Sequence, residues 1–137
     1  MIAAIEKKLE LDQSPTDVWR ALTDPTEVAG WFGETASFAP ELGDEGYFGW
    51  ESHGKFSMRI EEFDPPSRLA WRWGREPNKP LDQTHSTLVE WTLLPREDGG
   101  TTLLLKESEF ATEESRQDNV GGWDSELGHL VEHLAGA

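Results

Sequence analysis

The sequence contains no cysteine. That absence removes disulfide frameworks, thiolate nucleophiles, iron–sulfur clusters and every cysteine-based zinc site together, and it suits a reducing compartment, so a cytoplasmic location is the expectation. Long hydrophobic runs are also missing: no segment approaches the roughly 18 apolar residues needed to cross a bilayer. The amino terminus, Met1-Ile2-Ala3-Ala4-Ile5-Glu6-Lys7-Lys8, carries no apolar stretch behind a basic start. Neither secretion nor a membrane partner is expected. Positive charge is scarce, with 12 basic residues against 27 acidic ones and a formal net charge of −15. Such a surface repels a phosphate backbone, which sets nucleic acid aside as a partner. The acids are scattered along the chain, as on a solvated surface, and not gathered into a tail. A phosphate cradle is lacking too: Gly43-Asp44-Glu45-Gly46 is acidic and no lysine follows it, so no nucleotide or other cofactor is expected.

What the chain does have is tryptophan, seven of them against one tyrosine in 137 residues. That length suits one domain, residues 1–137, large enough to bury a core. Ile5, Lys7, Leu9 and Leu11 alternate with Glu6, Lys8 and Glu10, the period of a strand. Ser14-Pro15-Thr16-Asp17 places a cap, a proline and an acid in the order that starts a helix, predicted over 15–22. Asp24-Pro25-Thr26-Glu27 repeats the signal, and Gly30 limits the second helix before Trp31-Phe32-Gly33. From Thr35 onward, short runs of period two predict strands near 35–39, 46–52, 54–63, 67–74, 85–94 and 101–109. Asp64-Pro65-Pro66-Ser67 and Gly99-Gly100 are turns between them, and residues 76–82 form the loosest loop. Trp123, Leu127, Leu130, Val131 and Leu134 share one face of a final helix. Connections between strands are too short for parallel crossovers. The expected architecture is α+β: a curved antiparallel sheet of six or seven strands around a long carboxy-terminal helix, with two short helices after the first strand.

Several motifs in that order carry a family likeness. They are Val18-Trp19-Arg20-Ala21-Leu22-Thr23-Asp24-Pro25, Trp31-Phe32, Asp64-Pro65-Pro66-Ser67-Arg68-Leu69-Ala70-Trp71-Arg72-Trp73, Thr87-Leu88-Val89-Glu90-Trp91, Gly99-Gly100-Thr101-Thr102-Leu103, and Gly122-Trp123 followed by Leu127. With these the chain resembles the helix-grip domains of the START-like (SRPBCC) superfamily, and within it the branch named after activators of the heat-shock-protein ATPase. The resemblance implies a sheet and helix enclosing a cavity, used across the superfamily for lipids, polyketides, hormones and other apolar molecules. It implies no reaction. The branch name adds a protein partner, chaperone-linked and concerned with stress response, as an alternative role, in a monomer or a homodimer. A cyclase-like enzyme on the same fold is a further alternative.

Strand parity indicates which side chains would line such a cavity. Trp71 and Trp73 share a face with Leu69, Phe56 and Met58 share one with Ile60, and Trp91 shares one with Val89 and Leu93. The expected ligand-binding set is Trp31, Phe32, Trp50, Phe56, Met58, Trp71, Trp73, Trp91, Trp123 and Leu127, the first two near an entrance. Gly121, Gly122 and Gly128 lie in or beside the long helix. There a glycine costs about 0.5–1 kcal/mol relative to alanine, which implies either a need for space or, for the first two, a helix start and, for Gly128, close helix–sheet packing.

Candidate chemistry is thin. His129 and His133 stand four apart on a helix but opposite the Trp123 stripe, in solvent and without the glutamate of a zinc hydrolase, so no metal is expected. His53 and His85 read as surface residues. Glu61 and Glu62 are adjacent in a strand and point apart, leaving Glu62 as the one with an inward prospect. Glu90 and Glu107 read as outer-face residues. Arg59, Arg72, Asn119 and Asp124 are the polar groups near enough in pattern for cavity chemistry, and nothing singles one out as catalytic.

Overall fold

The computed structural model describes residues 2–136. Strand β1 (Ile5–Leu11) is followed by helices α1 (Pro15–Thr23) and α2 (Pro25–Val28), strands β2 (Thr35–Ser37), β3 (Glu45–Trp50), β4 (Gly54–Asp64), β5 (Arg68–Gly74), β6 (Ser86–Pro95) and β7 (Thr101–Ser108), and helix α3 (Glu113–Ala135). The seven strands make one sheet in the order β1-β7-β6-β5-β4-β3-β2, each neighbour antiparallel. It is a meander whose first strand returns to pair with the last, curved around α3 in the helix-grip manner.

The helix starts use the side chains the sequence offers. Ser14 accepts the Asp17 N–H at 3.3 Å and Asp24 accepts that of Thr26 at 2.9 Å, each with proline in the first turn. Between β6 and β7, Gly99 has φ of +90°, a conformation that suits glycine, and a side chain on Gly100 would collide with the Leu11 carbonyl. The inner face of the sheet presents Met58, Ile60, Leu69, Trp71, Val89, Trp91, Leu93, Leu103 and Leu105, all buried, to the Trp123, Leu127, Leu130 and Leu134 stripe of α3.

Five expectations change. Helix α3 begins at Glu113, capped by Thr112, so Gly121 and Gly122 lie inside it and start nothing. A Cβ at Gly121, Gly122 or Gly128 would meet nothing within 4 Å among the described residues, so Gly128 does not mediate close helix–sheet packing. Val131 sits at the edge of the stripe and is exposed. Residues 76–82 are anchored: the Asn78 N–H donates to the Lys55 carbonyl at 2.6 Å, Ser57 Oγ donates to the Lys79 carbonyl at 2.6 Å, and Leu81 is buried. Finally, the register shifts between Ile60 and Glu62. This bulge turns Glu62 outward, where it pairs with Arg68 at 2.9 Å, while Glu61 pairs with Arg59 and Arg72, so both acids lie on the outer face.

Candidate functional site

A cleft of about 280 Å³ opens between the end of the sheet formed by β3, β4 and β5 and the middle of α3. Its apolar wall is aromatic: Phe32, from the segment after α2, Trp50, Phe56, Trp73 and Trp123. Parity sends Trp50, Phe56 and Trp73 inward from their strands, and the α3 stripe brings Trp123 to meet them. Phe32 lies in the middle, stacked on Trp123 with centroids 5.4 Å apart at 13°, and edge-on to Trp50 and Trp73 at 5.3 Å. Such pairs contribute about 0.5–1.5 kcal/mol each beyond area burial, which holds the wall in place. Gly122 also borders the cleft, and the space where its side chain would stand is open among the described residues.

The polar part of the site comes from Arg75, just beyond β5, and from Asn119 and Glu126 on α3, with His53 at the rim. Beneath them lies Glu107, fully buried on β7. Its carboxylate accepts from Thr87 Oγ1 at 2.5 Å, Asn119 Nδ2 at 2.9 Å and Trp123 Nε1 at 2.7 Å. A buried acid persists only with such donors around it. Arg75 Nη1 stands 3.9 Å from Glu107, Nη2 donates to Asn119 Oδ1 at 2.9 Å, and the guanidinium lies 4.8 Å over the Trp73 ring. Asn119 is thus clamped between cation and anion. Burial pushes the Arg75 pKa down, against the pull of Glu107 and Asp118. Burial also pushes the Glu126 carboxyl up, opposed by the Gly33 N–H and by His129. Arg75 Nε and Glu126 Oε2 are buried without a hydrogen-bond partner among the described residues.

Of the ten residues predicted to line a ligand site, Phe32, Trp50, Phe56, Trp73 and Trp123 border this cleft. Trp31, Met58, Trp71, Trp91 and Leu127 do not; they are buried in the core behind it. Trp31 is tied there by its indole N–H, which donates to the Ala21 carbonyl at 2.8 Å, away from any entrance. Among the polar candidates Asn119 reaches the cleft. Arg59 and Arg72 lie on the outer face with Glu61, and Asp124 pairs with Lys7 at 2.7 Å. His53 reaches the rim of the cleft. His85 Nε2 is 2.7 Å from the Glu109 carbonyl. Of the helical pair, His129 is exposed, whereas His133 turns toward α2, 3.2 Å from Glu27, and not to solvent as its helical position suggested.

Sequence reasoning passed over Arg75 and Glu126 and misplaced Glu107. Glu107 corrects an expected outer-face position: Thr101, Leu103, Leu105 and Glu107 share the inner face, a parity hidden by the unbroken Leu103-Leu104-Leu105 run. Arg75 continues the parity of Trp71 and Trp73, a signal available in the sequence. Glu126 falls three residues after Trp123, beside the stripe.

Comparison with known proteins places this geometry in context. The fold is similar to that of protein MLL2253 from Mesorhizobium loti, with a TM-score of 0.85 and 21% identity over 97% of each chain. It is similar to CalU16 from Micromonospora echinospora, with a TM-score of 0.78 and 24% identity over 96% of this chain and 75% of that one. The Aha1 dimer from Colwellia psychrerythraea gives a TM-score of 0.77 and 19% identity over 97% of this chain and 96% of that one. Comparison with curated proteins gives no match. The family model described as activator of Hsp90 ATPase homolog 1-like protein matches residues 12–135, nearly the whole length, and the chain belongs to that family.

Proposed function

We propose that the chain is a single-domain binding module that shields an apolar or aromatic small molecule in the cleft between the sheet and α3. The observation that carries this reading is the meeting of five aromatic rings around about 280 Å³ of open space, at the place where α3 has glycine and no side chain. A core meant only to pack would close there, because interiors fill to crystal-like density. The volume lies near the lower end of small-molecule pockets, roughly 300 Å³, which suits one or two fused rings. A cytoplasmic setting fits the cysteine-free sequence.

Two other roles have less support. A chaperone-linked protein partner follows from the family name, and self-association from the dimer of the Colwellia relative. The outer sheet face nevertheless offers ion pairs, Arg68 with Glu62 and Glu90 among them, and not an apolar docking patch. A cyclase-like reaction would draw on the polar groups of the cleft, Arg75, Asn119, Glu126 and His53.

Native mass spectrometry of protein purified from a cell extract, with tryptophan fluorescence titration of aromatic candidates, tests the proposal. A retained small molecule that quenches the tryptophans is the expected result. Gly122→Leu, which fills the open space, should abolish binding while the fold persists. A clean apo mass, with no quenching by any aromatic compound, would overturn it.

A further inference from the structure

Among the described residues that border the cleft, Arg75 is the one with a permanent positive charge, and its hydrogen-bonding capacity is largely unspent. Arg75 carries five N–H donors. Among the described residues its side chain makes one hydrogen bond, to Asn119, while Nε has no partner. Glu107, the nearest acid, is 3.9 Å away, beyond hydrogen-bond reach, and three other donors already bind it. Asn119 stands between the two and prevents the bidentate pairing that would satisfy both. The guanidinium meanwhile lies 4.8 Å over the Trp73 ring, and the side chain, a fifth exposed, borders the cleft. A site intended for hydrocarbon alone gains nothing from a desolvated arginine with unmet donors.

We propose that the cleft selects an aromatic molecule bearing an acidic oxygen, a carboxylate or phenolate on one or two fused rings, with Arg75 taking the oxygen and the aromatic wall the rings. The assignment rests on the reading of the cleft as a ligand site and narrows its occupant. Asn119 is a positioning residue: it touches Arg75 and Glu107 and fixes where the guanidinium points. Glu126 sets the opposing condition. Its carboxyl borders the same space, so a ligand anion requires it protonated or turned away. An aromatic cation is the competing chemistry, since Glu126 and the rings resemble the walls of an ammonium cage, but Arg75 stands inside that cage and repels it.

Three probes of one shape separate these possibilities by tryptophan quenching at constant ionic strength: 2-naphthoate, 2-methylnaphthalene and 2-naphthylmethylammonium. Naphthoate is expected to bind at least tenfold more tightly than the hydrocarbon, and the ammonium most weakly. Arg75→Met should bring naphthoate down to the hydrocarbon, and Arg75→Lys should restore part of the difference. Glu126→Gln, which removes the charge and keeps an acceptor for the Gly33 N–H, should strengthen naphthoate several-fold more than it changes the hydrocarbon. Equal binding of naphthoate and hydrocarbon, or tighter binding of the ammonium, would overturn the assignment while leaving the cleft a ligand site. Equal change in both probes on Glu126→Gln would overturn it as well. Absence of binding by all three removes the assignment together with the reading beneath it.

Discussion

Trp123 performs two tasks with one side chain. Its ring stacks on Phe32 and meets Trp73 and Trp91, while its indole N–H is one of the three donors that keep Glu107 satisfied. Trp123→Ala should therefore cost about 3–5 kcal/mol in denaturant melts, since it removes packing and a donor together. Trp123→Phe keeps most of the ring and should lose about 1–3 kcal/mol, the cost of a buried acceptor deprived of one partner. A Phe variant as stable as the parent would mean that Thr87 and Asn119 suffice. Glu126 predicts a pH effect of definite sign. Because burial raises its folded pKa above the unfolded carboxyl value of 4.5, the contribution is stabilising at low pH and is lost as pH rises through the raised value. Denaturant melts from pH 4 to 7 should show Glu126→Gln gaining on the parent as pH increases. Glu107 shows where residue-level reading failed: the parity that would have turned it inward runs through three consecutive leucines, and only its partner strands establish which of them face the core.

Secondary elements were more legible than the contacts between them. Strand β1 and the six later strands follow the alternation of apolar residues, and the starts of α1 and α2 follow their Ser14 and Asp24 caps. The bulge at Glu62 left no trace in sequence, because one unpaired residue changes no composition and is seen only against β5. The first turns of α3 were missed for a related reason: residues 113–119 are polar throughout, so no apolar stripe marks them, although Thr112 offers a cap. Their length places Asn119 over Glu107. The glycines of α3 and of the β6–β7 turn separate by their surroundings. Gly121→Ala and Gly128→Ala should each stabilise the protein by about 0.5–1 kcal/mol in thermal melts, as nothing opposes the added methyl. Gly100→Ala, against the Leu11 carbonyl, should destabilise it, and a neutral result there would show that the β6–β7 turn can shift away from β1.

At the scale of the whole molecule, the order of the sheet and the grip on α3 followed from the sequence because periodicity and short connections leave few ways to join these elements. The division between cleft and core did not. Five of the ten aromatic and aliphatic residues expected around a ligand lie behind it, because parity assigns a face and not a depth. The net charge of −15 is likewise a property of the whole. Exposed ion pairs of this kind contribute little each, so screening should relieve more repulsion than it removes attraction. The melting temperature should rise as sodium chloride is raised from low ionic strength toward 0.5 M; a fall would mean that the Arg68, Arg72 and Arg96 pairs outweigh the excess of acid. The tryptophans themselves have a collective consequence. Trp31, Trp91 and Trp71 are linked at 6.0 and 5.7 Å, and Trp91, Trp123, Trp73 and Trp50 at 5.6, 5.9 and 6.0 Å, so six indoles form a single connected array and only Trp19 stands apart. Light absorbed by any ring of that array can migrate through the others before it is emitted. The array behaves as one antenna, and a quencher touching Trp50 at one end would darken rings it never meets.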